Sequence, residues 1–175
     1  NLIGLVNGRS HTSRHVAEKY GFEYCTGDAQ DVFADSDINT IVIGTQHHLH
    51  APYVIRALEA GKHVFVEKPL CLTLKELHDI RTAFAHTDRM LMVGFSPLLR
   101  DLHSMLPSHL PRAVNYRINA GNVSPDHWTQ DPDTGGGRIL GEVGHFLDLL
   151  IWIVQSKIVT VSAHTFESKV TPPDT

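Results

Sequence analysis

The part of the sequence best suited to carry chemistry is a charged pair that follows a short apolar run, G-K-H-V-F-V-E-K-P-L at residues 61–70. Residues 63–66 are mostly β-branched or aromatic, which is typical of a buried parallel strand. Pro69 restricts the preceding Lys68 to an extended conformation. A lysine at the carboxyl end of a parallel strand lies at the crevice where open α/β sheets bind ligands. We therefore expect Lys68 to face a ligand site; a surface Glu-Lys pair at a strand end is the alternative.

A second group of candidate side chains lies in an apolar stretch at residues 139–154. Glu142, His145 and Asp148 recur there every three residues, a spacing that spreads them over a helix face about 120° wide. Apolar residues cover nearly all the other sides, which predicts a buried helix, and burying unpaired charge is costly. The three groups therefore line a cleft or pair with one another. Alternatively, Glu142 lies near the positive end of the helix and Asp148 makes a salt bridge.

Three histidines, His47, His48 and His50, follow the apolar run at residues 40–44. Their number suggests zinc, but no cysteine or carboxylate stands beside them at ligand spacing, and two of them are adjacent. We therefore predict no metal site and expect a loop between a strand and a helix that contacts a ligand. A solvated loop is the alternative for His47 and His48.

The run Asn7-Gly8-Arg9-Ser10 ends the first apolar segment. In dinucleotide-binding folds a carboxylate at this place binds the ribose 2′-OH, or an arginine binds a 2′-phosphate. Asn7 is neutral, whereas Arg9 and Ser10 are available, which favours a phosphorylated cofactor; an ordinary turn is the alternative. The sequence contains no G-x-G-x-x-G, and its glycine triplet at residues 135–137 does not follow a strand.

The elements that must position these residues follow from hydrophobic periodicity and capping signals. Apolar runs predict strands at residues 2–6, 22–25, 40–45, 63–66 and 90–94. Helical spacing, a cap at Asp28 or Asp31, and a Thr73–Glu76 capping box predict helices at residues 12–20, 28–34, 51–58 and 73–85. This alternation predicts an α/β fold with a doubly wound, parallel, Rossmann-type sheet over residues 1–95.

A different pattern begins after residue 95. Residues 114–120 and 157–165 alternate apolar and polar side chains, which predicts strands of an antiparallel sheet with one polar face. A polar loop rich in glycine, proline and aspartate separates them at residues 121–137. We therefore expect a second, partial α+β domain with a mostly antiparallel sheet at residues 96–175.

Composition narrows the function classes. The chain has 175 residues, 42% of them hydrophobic, and a net charge of −4, which does not suggest a nucleic-acid or membrane-surface protein. It contains no apolar run near the ~20 residues of a membrane span. Two cysteines, Cys25 and Cys71, form no disulfide framework, which fits a reducing cytoplasm.

Two long segments resemble one family. DINTIVIGTQHHLHAPYVIRALEAGKHVFVEKPL at residues 37–70 and HWTQDPDTGGGRILGEVGHFLDLL at residues 127–150 resemble glucose–fructose oxidoreductase and inositol dehydrogenase, the Gfo/Idh/MocA family. The resemblance implies an NAD- or NADP-dependent oxidoreductase that transfers a hydride to or from a secondary alcohol of a sugar, cyclitol or related polyol. A homo-oligomer is implied in the same way. The competing interpretation is a non-catalytic member of the fold that binds a dinucleotide or a sugar.

The resemblance also implies roles for individual residues. Lys68 matches the lysine beside the nicotinamide and the reacting hydroxyl, and His145 matches the catalytic histidine. The cofactor-side positions that it implies are Asn7, Thr45, His50 and Glu67, together with Lys68.

This sequence departs from the family pattern in two ways that matter here. Relatives often carry an aspartate four residues before the histidine, where this chain has Gly141, so Glu142 becomes the candidate carboxylate. The sequence also begins at what resembles the second strand, so the expected sheet is incomplete at its N-terminus, without the first strand and its glycine loop.

Overall fold

The computed structural model describes residues 1–8, 10–95 and 112–164, without the side chains of residues 10–12. Five strands and five α-helices alternate over most of this length. In chain order they are β1 (Gly4–Val6), α1 (Ser10–Tyr20), β2 (Tyr24–Thr26), α2 (Ala29–Ala34), β3 (Thr40–Ile43), α3 (His50–Glu59), β4 (His63–Glu67), α4 (Leu74–Ala85), β5 (Leu91–Gly94) and α5 (Gly144–Val154). The predicted elements of residues 1–95 are all present, with β2 one to two residues later than expected.

The strands form two parallel sheets, β1–β2 and β3–β4–β5. In the second sheet, Ile43 is paired with Val66, and Val66 with Val93. The carboxyl ends of β3 and β4 therefore lie side by side, which brings the segments after residues 43 and 67 to one edge. The α/β arrangement with parallel strands that the alternating pattern predicts is confirmed.

The core lies between α3, α4 and one face of the second sheet. Its largest fully buried side chains include Val54 of α3, Val66 of β4 and Ile80 of α4. On the other face, Val42, Phe65 and Met92 form one row across the three strands, and Val42 and Met92 are 72% and 61% exposed within the described residues. One face of this sheet is therefore the buried one.

Local signals fix the ends of the helices as the sequence predicts. The Asp28 side chain accepts a hydrogen bond from the backbone N–H of Gln30, and Thr73 and Glu76 form the reciprocal capping box of α4. Gly61, which follows α3, has a φ of 69°, a conformation that favours glycine.

A buried lysine fixes the start of β4. Lys62 is 7% exposed, and its ammonium donates hydrogen bonds to the carbonyl oxygens of Asp35 (2.5 Å) and Ile38 (2.6 Å). Two charge-assisted hydrogen bonds offset the cost of burying the charge. The loop before β3 is thereby tied to the beginning of β4.

Two expectations for the second part of the chain are wrong. Within residues 112–164 no strand forms, neither at 114–120 nor at 157–164, because the alternating segments have no partner strand there and Val114, Tyr116 and Ile118 remain 43–44% exposed. The apolar helix is not buried either: no residue of α5 is buried, and Leu147 and Ile151 are more than 40% exposed. The predicted strand residue 165 lies outside the described part.

Candidate active site

Lys68 stands directly after β4, where the carboxyl ends of the strands meet, and its side chain is 25% exposed. Its ammonium donates a hydrogen bond of 2.7 Å to the carbonyl oxygen of Gly141 and lies 3.8 Å from a carboxylate oxygen of Glu142. The peptide bond between Lys68 and Pro69 is cis. The two segments that the sequence singled out, 73 residues apart, are therefore in contact.

The residues that receive Lys68 lie in a π-helical turn, Ile139–Val143, which leads into α5. Such turns are frequent at functional sites. His145 lies in the first turn of α5, four residues after Gly141, and its ring stacks on Phe95 with 6.3 Å between centroids. Its Nδ1 atom is buried and has no hydrogen-bond partner among the described residues. Lys68 therefore contacts the turn immediately before His145.

The two carboxylates of this segment differ in their surroundings. The side chain of Glu142 is 49% exposed, so water and salt screen its attraction to Lys68. Asp148 is exposed on α5, two turns further from the contact with Lys68. Glu142 is thus the carboxylate that the structure brings to the lysine, and Asp148 is not.

The ring of His50 is hydrogen-bonded to the two segments that follow β3 and β4. Its ring is fully buried, with Nδ1 2.6 Å from the carbonyl oxygen of Pro69 and Nε2 3.1 Å from that of Thr45. The Thr45 carbonyl follows β3 and the Pro69 carbonyl follows β4, so one imidazole holds both loops. Any influence of His50 on a cofactor is therefore exerted through the backbone of these two residues.

His47 is buried, whereas a solvated loop was one expectation for it. It is 9% exposed, its Nδ1 lies 2.7 Å from the carbonyl oxygen of Gly135, and its ring meets Trp128 edge-on at 4.7 Å. Burial lowers the pKa of His47, which favours the neutral ring. Since a carbonyl only accepts, Nδ1 carries the proton of this bond. Its partner is 88 residues away, so no local sequence signal could reveal it.

The remaining cofactor candidates lie at the carboxyl ends of β1, β3 and β4. Asn7 follows β1 and its carbonyl accepts a hydrogen bond from the Ser13 hydroxyl. Thr45 and Glu67 are exposed. Arg9 lies outside the described residues, and Ser10 begins α1 with its side chain likewise outside the description.

An open groove of about 490 Å³ lies beside His47, between Gln46 and the loop at residues 125–134. Trp128 and Gln130 line it, and the side-chain oxygen of Gln130 is buried without a hydrogen-bond partner in the described part of the chain. A larger open groove, of about 1090 Å³, lies at the opposite ends of α3 and α4, away from Lys68. The smaller groove is therefore the one near the candidate chemistry.

In residues 1–8, 10–95 and 112–164 there is no group of three or more histidine, cysteine, aspartate or glutamate residues that could hold a metal ion. No helix in the same ranges has the length and apolar character needed to cross a membrane.

A parallel α/β sheet with these groups at its strand ends defines a nucleotide-binding class of domain. The family model described as "Oxidoreductase family, NAD-binding Rossmann fold" (GFO_IDH_MocA) matches residues 1–95. The chain therefore belongs to this oxidoreductase family, which confirms the family, the Rossmann-type fold and the nicotinamide-binding domain expected from the sequence.

Individual relatives agree with this assignment. Levoglucosan dehydrogenase of Pseudarthrobacter phenanthrenivorans is 29% identical over 162 residues, which are 86% of this chain and 42% of that protein. The scyllo-inositol 2-dehydrogenase (NAD(+)) of Bacillus subtilis is 27% identical, with 87% and 46% covered. The crystal structure of an oxidoreductase domain protein from Kribbella flavida superposes with a TM-score of 0.70 at 26% identity, covering 89% and 45%. The chain thus spans less than half the length of these relatives.

Proposed function

We propose that the protein carrying this chain transfers a hydride between a nicotinamide cofactor and a secondary alcohol of a sugar, cyclitol or related polyol. One observation carries the proposal: the ammonium of Lys68, at the carboxyl end of a parallel strand, contacts the turn that leads into the helix of His145. The cation therefore contacts the chain four residues before the candidate acid–base group, at the edge of a parallel sheet where ligands bind.

The residues present fit the nicotinamide end of such a cofactor. Thr45 and Glu67 are exposed at adjacent strand ends, and a side chain at Gly44 would meet nothing within 4 Å, so this edge is open. The buried, unpartnered Nδ1 of His145 is a polar atom that a bound group would satisfy. Thr45, Glu67 and Lys68 would hold the cofactor there, and Asn7, Arg9 and Ser10 are the candidates for contacts to the ribose of NAD or NADP.

Oxidation of a secondary alcohol removes a proton from the hydroxyl group and a hydride from the carbon that carries it. The hydroxyl proton leaves to His145, which acts as the general base. Lys68 orients the hydroxyl and stabilises the negative charge that develops on its oxygen. Glu142 lies 3.8 Å from the ammonium and adds a negative charge beside it. The hydrogen on carbon leaves with its electron pair, which is the chemistry that a nicotinamide supplies when bound.

Two further features support a polyol as the substrate class. The groove beside His47 is lined by an aromatic residue, Trp128, and by the polar residues Gln46, Gln130 and Asp131, residue types suited to ring faces and hydroxyls. The relatives named above act, by their names, on an anhydrosugar and on an inositol.

The test is a screen of the full-length protein for substrate-dependent reduction of NAD and NADP with anhydrosugars, inositols and aldoses. We expect turnover with at least one polyol, and we expect Lys68→Met to abolish it while the protein remains folded. Lys75→Met is the matched control, because Lys75 is an exposed lysine on α4 that pairs with Asp79 four residues later. Normal turnover in the Lys68 variant would remove this residue from the mechanism.

The alternative is a non-catalytic protein of the same fold that binds a dinucleotide or a sugar. The glycine at position 141 favours it, since a main-chain carbonyl rather than a side-chain carboxylate receives the lysine. Cofactor binding measured by calorimetry, without reduction by any polyol in the panel, would decide for this alternative.

We propose a homo-oligomer, a cytoplasmic location and a division of the chain near residue 95. Cys25 and Cys71 are both free thiols, which supports a reducing compartment. Light scattering of the purified protein tests the first of these expectations.

A further inference from the structure

Two contacts distinguish position 141. The carbonyl of Gly141 accepts a hydrogen bond from Lys68, and the ring of His47 lies where a side chain at this position would begin. A Cβ added to Gly141 would lie 3.3 Å from Cε1 of His47 and 3.9 Å from its Nδ1. The first distance is shorter than an ordinary van der Waals contact between carbon atoms. A side chain at 141 therefore requires the ring of His47 or the turn itself to shift by a few tenths of an ångström.

The ring of His47 is not free to move away. Its Nδ1–H donates to the carbonyl oxygen of Gly135, and its faces and edges meet Trp128 and His50 with centroids 4.7 and 5.6 Å away. The next residue adds a main-chain link, since the N–H of His48 donates to the carbonyl oxygen of Thr134 (3.1 Å). The loop after β3 is thus fastened to the glycine-rich loop that precedes the π-helical turn.

We propose that His47 is a positioning residue for Lys68. Its fixed ring sets how closely Gly141 approaches, and thereby places the Gly141 carbonyl 2.7 Å from the ammonium. The carboxylate near the lysine must then come from the next position, Glu142. This inference rests on the proposed function for its catalytic meaning, but the contacts themselves are testable without turnover.

The geometry makes a specific prediction about pairs of residues. A methyl group at 141 pushes the turn away from His47 and weakens the bond between the carbonyl and Lys68. A smaller side chain at 47 that keeps the donor to Gly135 removes that conflict. Asparagine has this shape, because its amide N–H lies near the place of Nδ1 and it lacks Cε1. Gly141→Ala and His47→Asn should therefore compensate for each other.

The experiment is a double-mutant cycle with Lys68 as the reporter. The full-length protein is acylated briefly with an amine-reactive ester, and peptide mass spectrometry gives the labelling rate of Lys68 relative to the exposed Lys75 of the same molecule. Gly141→Ala should raise the relative rate about three- to tenfold, the effect of weakening one hydrogen bond to a charged group. The double variant should return to within about twofold of the parent, as coupled residues do.

Controls separate this effect from a loss of structure. Gly144→Ala adds a methyl group in the same segment, where a Cβ meets nothing within 4 Å, and should leave the labelling rate unchanged. If the protein turns over a polyol, kcat should fall in Gly141→Ala and recover in the double variant, with the KM for the cofactor unchanged. Parent-like labelling in Gly141→Ala, or a double variant no better than Gly141→Ala, overturns the inference. Absence of turnover in the parent refutes the proposed function and leaves this cycle valid.

Discussion

The neutral state of His47 has a measurable effect on stability. Burial lowers the pKa of this residue, and the charges of His50 and Lys68 act in the same direction, whereas the bond to Gly135 and the charge of Glu142 oppose it. In the unfolded chain the ring titrates near its ordinary value of 6.5. Because the folded state binds the proton less well, this group's contribution is complete above pH 6.5 and is lost as the pH falls from 6.5 toward the lowered pKa.

The perturbation that isolates this contribution is His47→Asn, which keeps a donor for the Gly135 carbonyl but cannot titrate. If the folded ring stays neutral, protonation of the unfolded chain between pH 6.5 and about 5.5 costs the parent about 1 kcal/mol that the variant does not lose. The variant also loses ring packing against Trp128, a constant cost of about 1–2 kcal/mol at every pH. The two effects separate because only the first depends on pH.

The assay is urea unfolding followed by tryptophan fluorescence at several pH values between about 5 and 8. We expect the free energy of unfolding of the parent to fall more steeply below pH 6.5 than that of His47→Asn, so that the two curves converge in acid. His15→Asn, on the exposed side of α1, is the matched control and should follow the parent. Parallel curves for the parent and His47→Asn would refute the reasoning.

Three further predictions concern the scaffold. Lys62→Met should lower the free energy of unfolding by about 2–4 kcal/mol, because a buried and a partly buried carbonyl lose a charged donor. Urea unfolding measures this loss, and a loss below about 0.5 kcal/mol contradicts the prediction. Thr73→Ala should cost about 1 kcal/mol by breaking the capping box with Glu76, and Thr73→Ser should restore most of it in the same assay. Tyr24→Phe removes the hydroxyl that donates a hydrogen bond to Asp35, at a cost of about 1 kcal/mol. Burial raises the pKa of Tyr24 to about 12, so the parent alone should lose this stabilisation as the pH rises from about 10 toward 12. An equal loss of stability in the parent and the variant over this pH range would contradict the prediction.

The first 95 residues could be predicted well because their signals are local. Apolar runs of four or five residues mark β3, β4 and β5, and short capping motifs mark the ends of α2, α3 and α4. Once strands and helices alternate, the rules of chain connection leave little choice other than a parallel sheet with its strand ends at one edge. The position of Lys68 at that edge follows from this topology, and the structure places it there.

The second part of the chain shows where this reasoning fails. Alternation at residues 114–120 describes which face a strand would present, but a strand also needs a neighbour to accept its backbone hydrogen bonds. No such neighbour is present in the described residues, so the pattern produces no sheet. The apolar surface of α5 is a similar case, because composition reports what a helix could bury and not what lies against it.

The site itself combines predictable and unpredictable contacts. The strand end and the helix periodicity indicated Lys68 and His145, and the resemblance implied their roles. Neither kind of signal indicates that Gly141 offers its carbonyl or that His47 lies against position 141. The hydrogen bonds of Lys68 to Gly141 and of His47 to Gly135 join residues that are 73 and 88 positions apart. Their energetics depend on distances of a few tenths of an ångström, which only the folded chain defines.

The contacts of Lys68 fix the position of its ammonium group and leave N–H donors for a bound substrate. An ammonium has three N–H donors, and the carbonyl of Gly141 takes one of them. At 3.8 Å the carboxylate of Glu142 is beyond ordinary hydrogen-bond length and contributes charge rather than a directed bond. The described residues therefore leave donors for a substrate oxygen while fixing where the nitrogen lies. A carboxylate at hydrogen-bond distance would compete more strongly for the same donors, so the proposed role of Lys68 depends on the donors that the Gly141 carbonyl leaves unused.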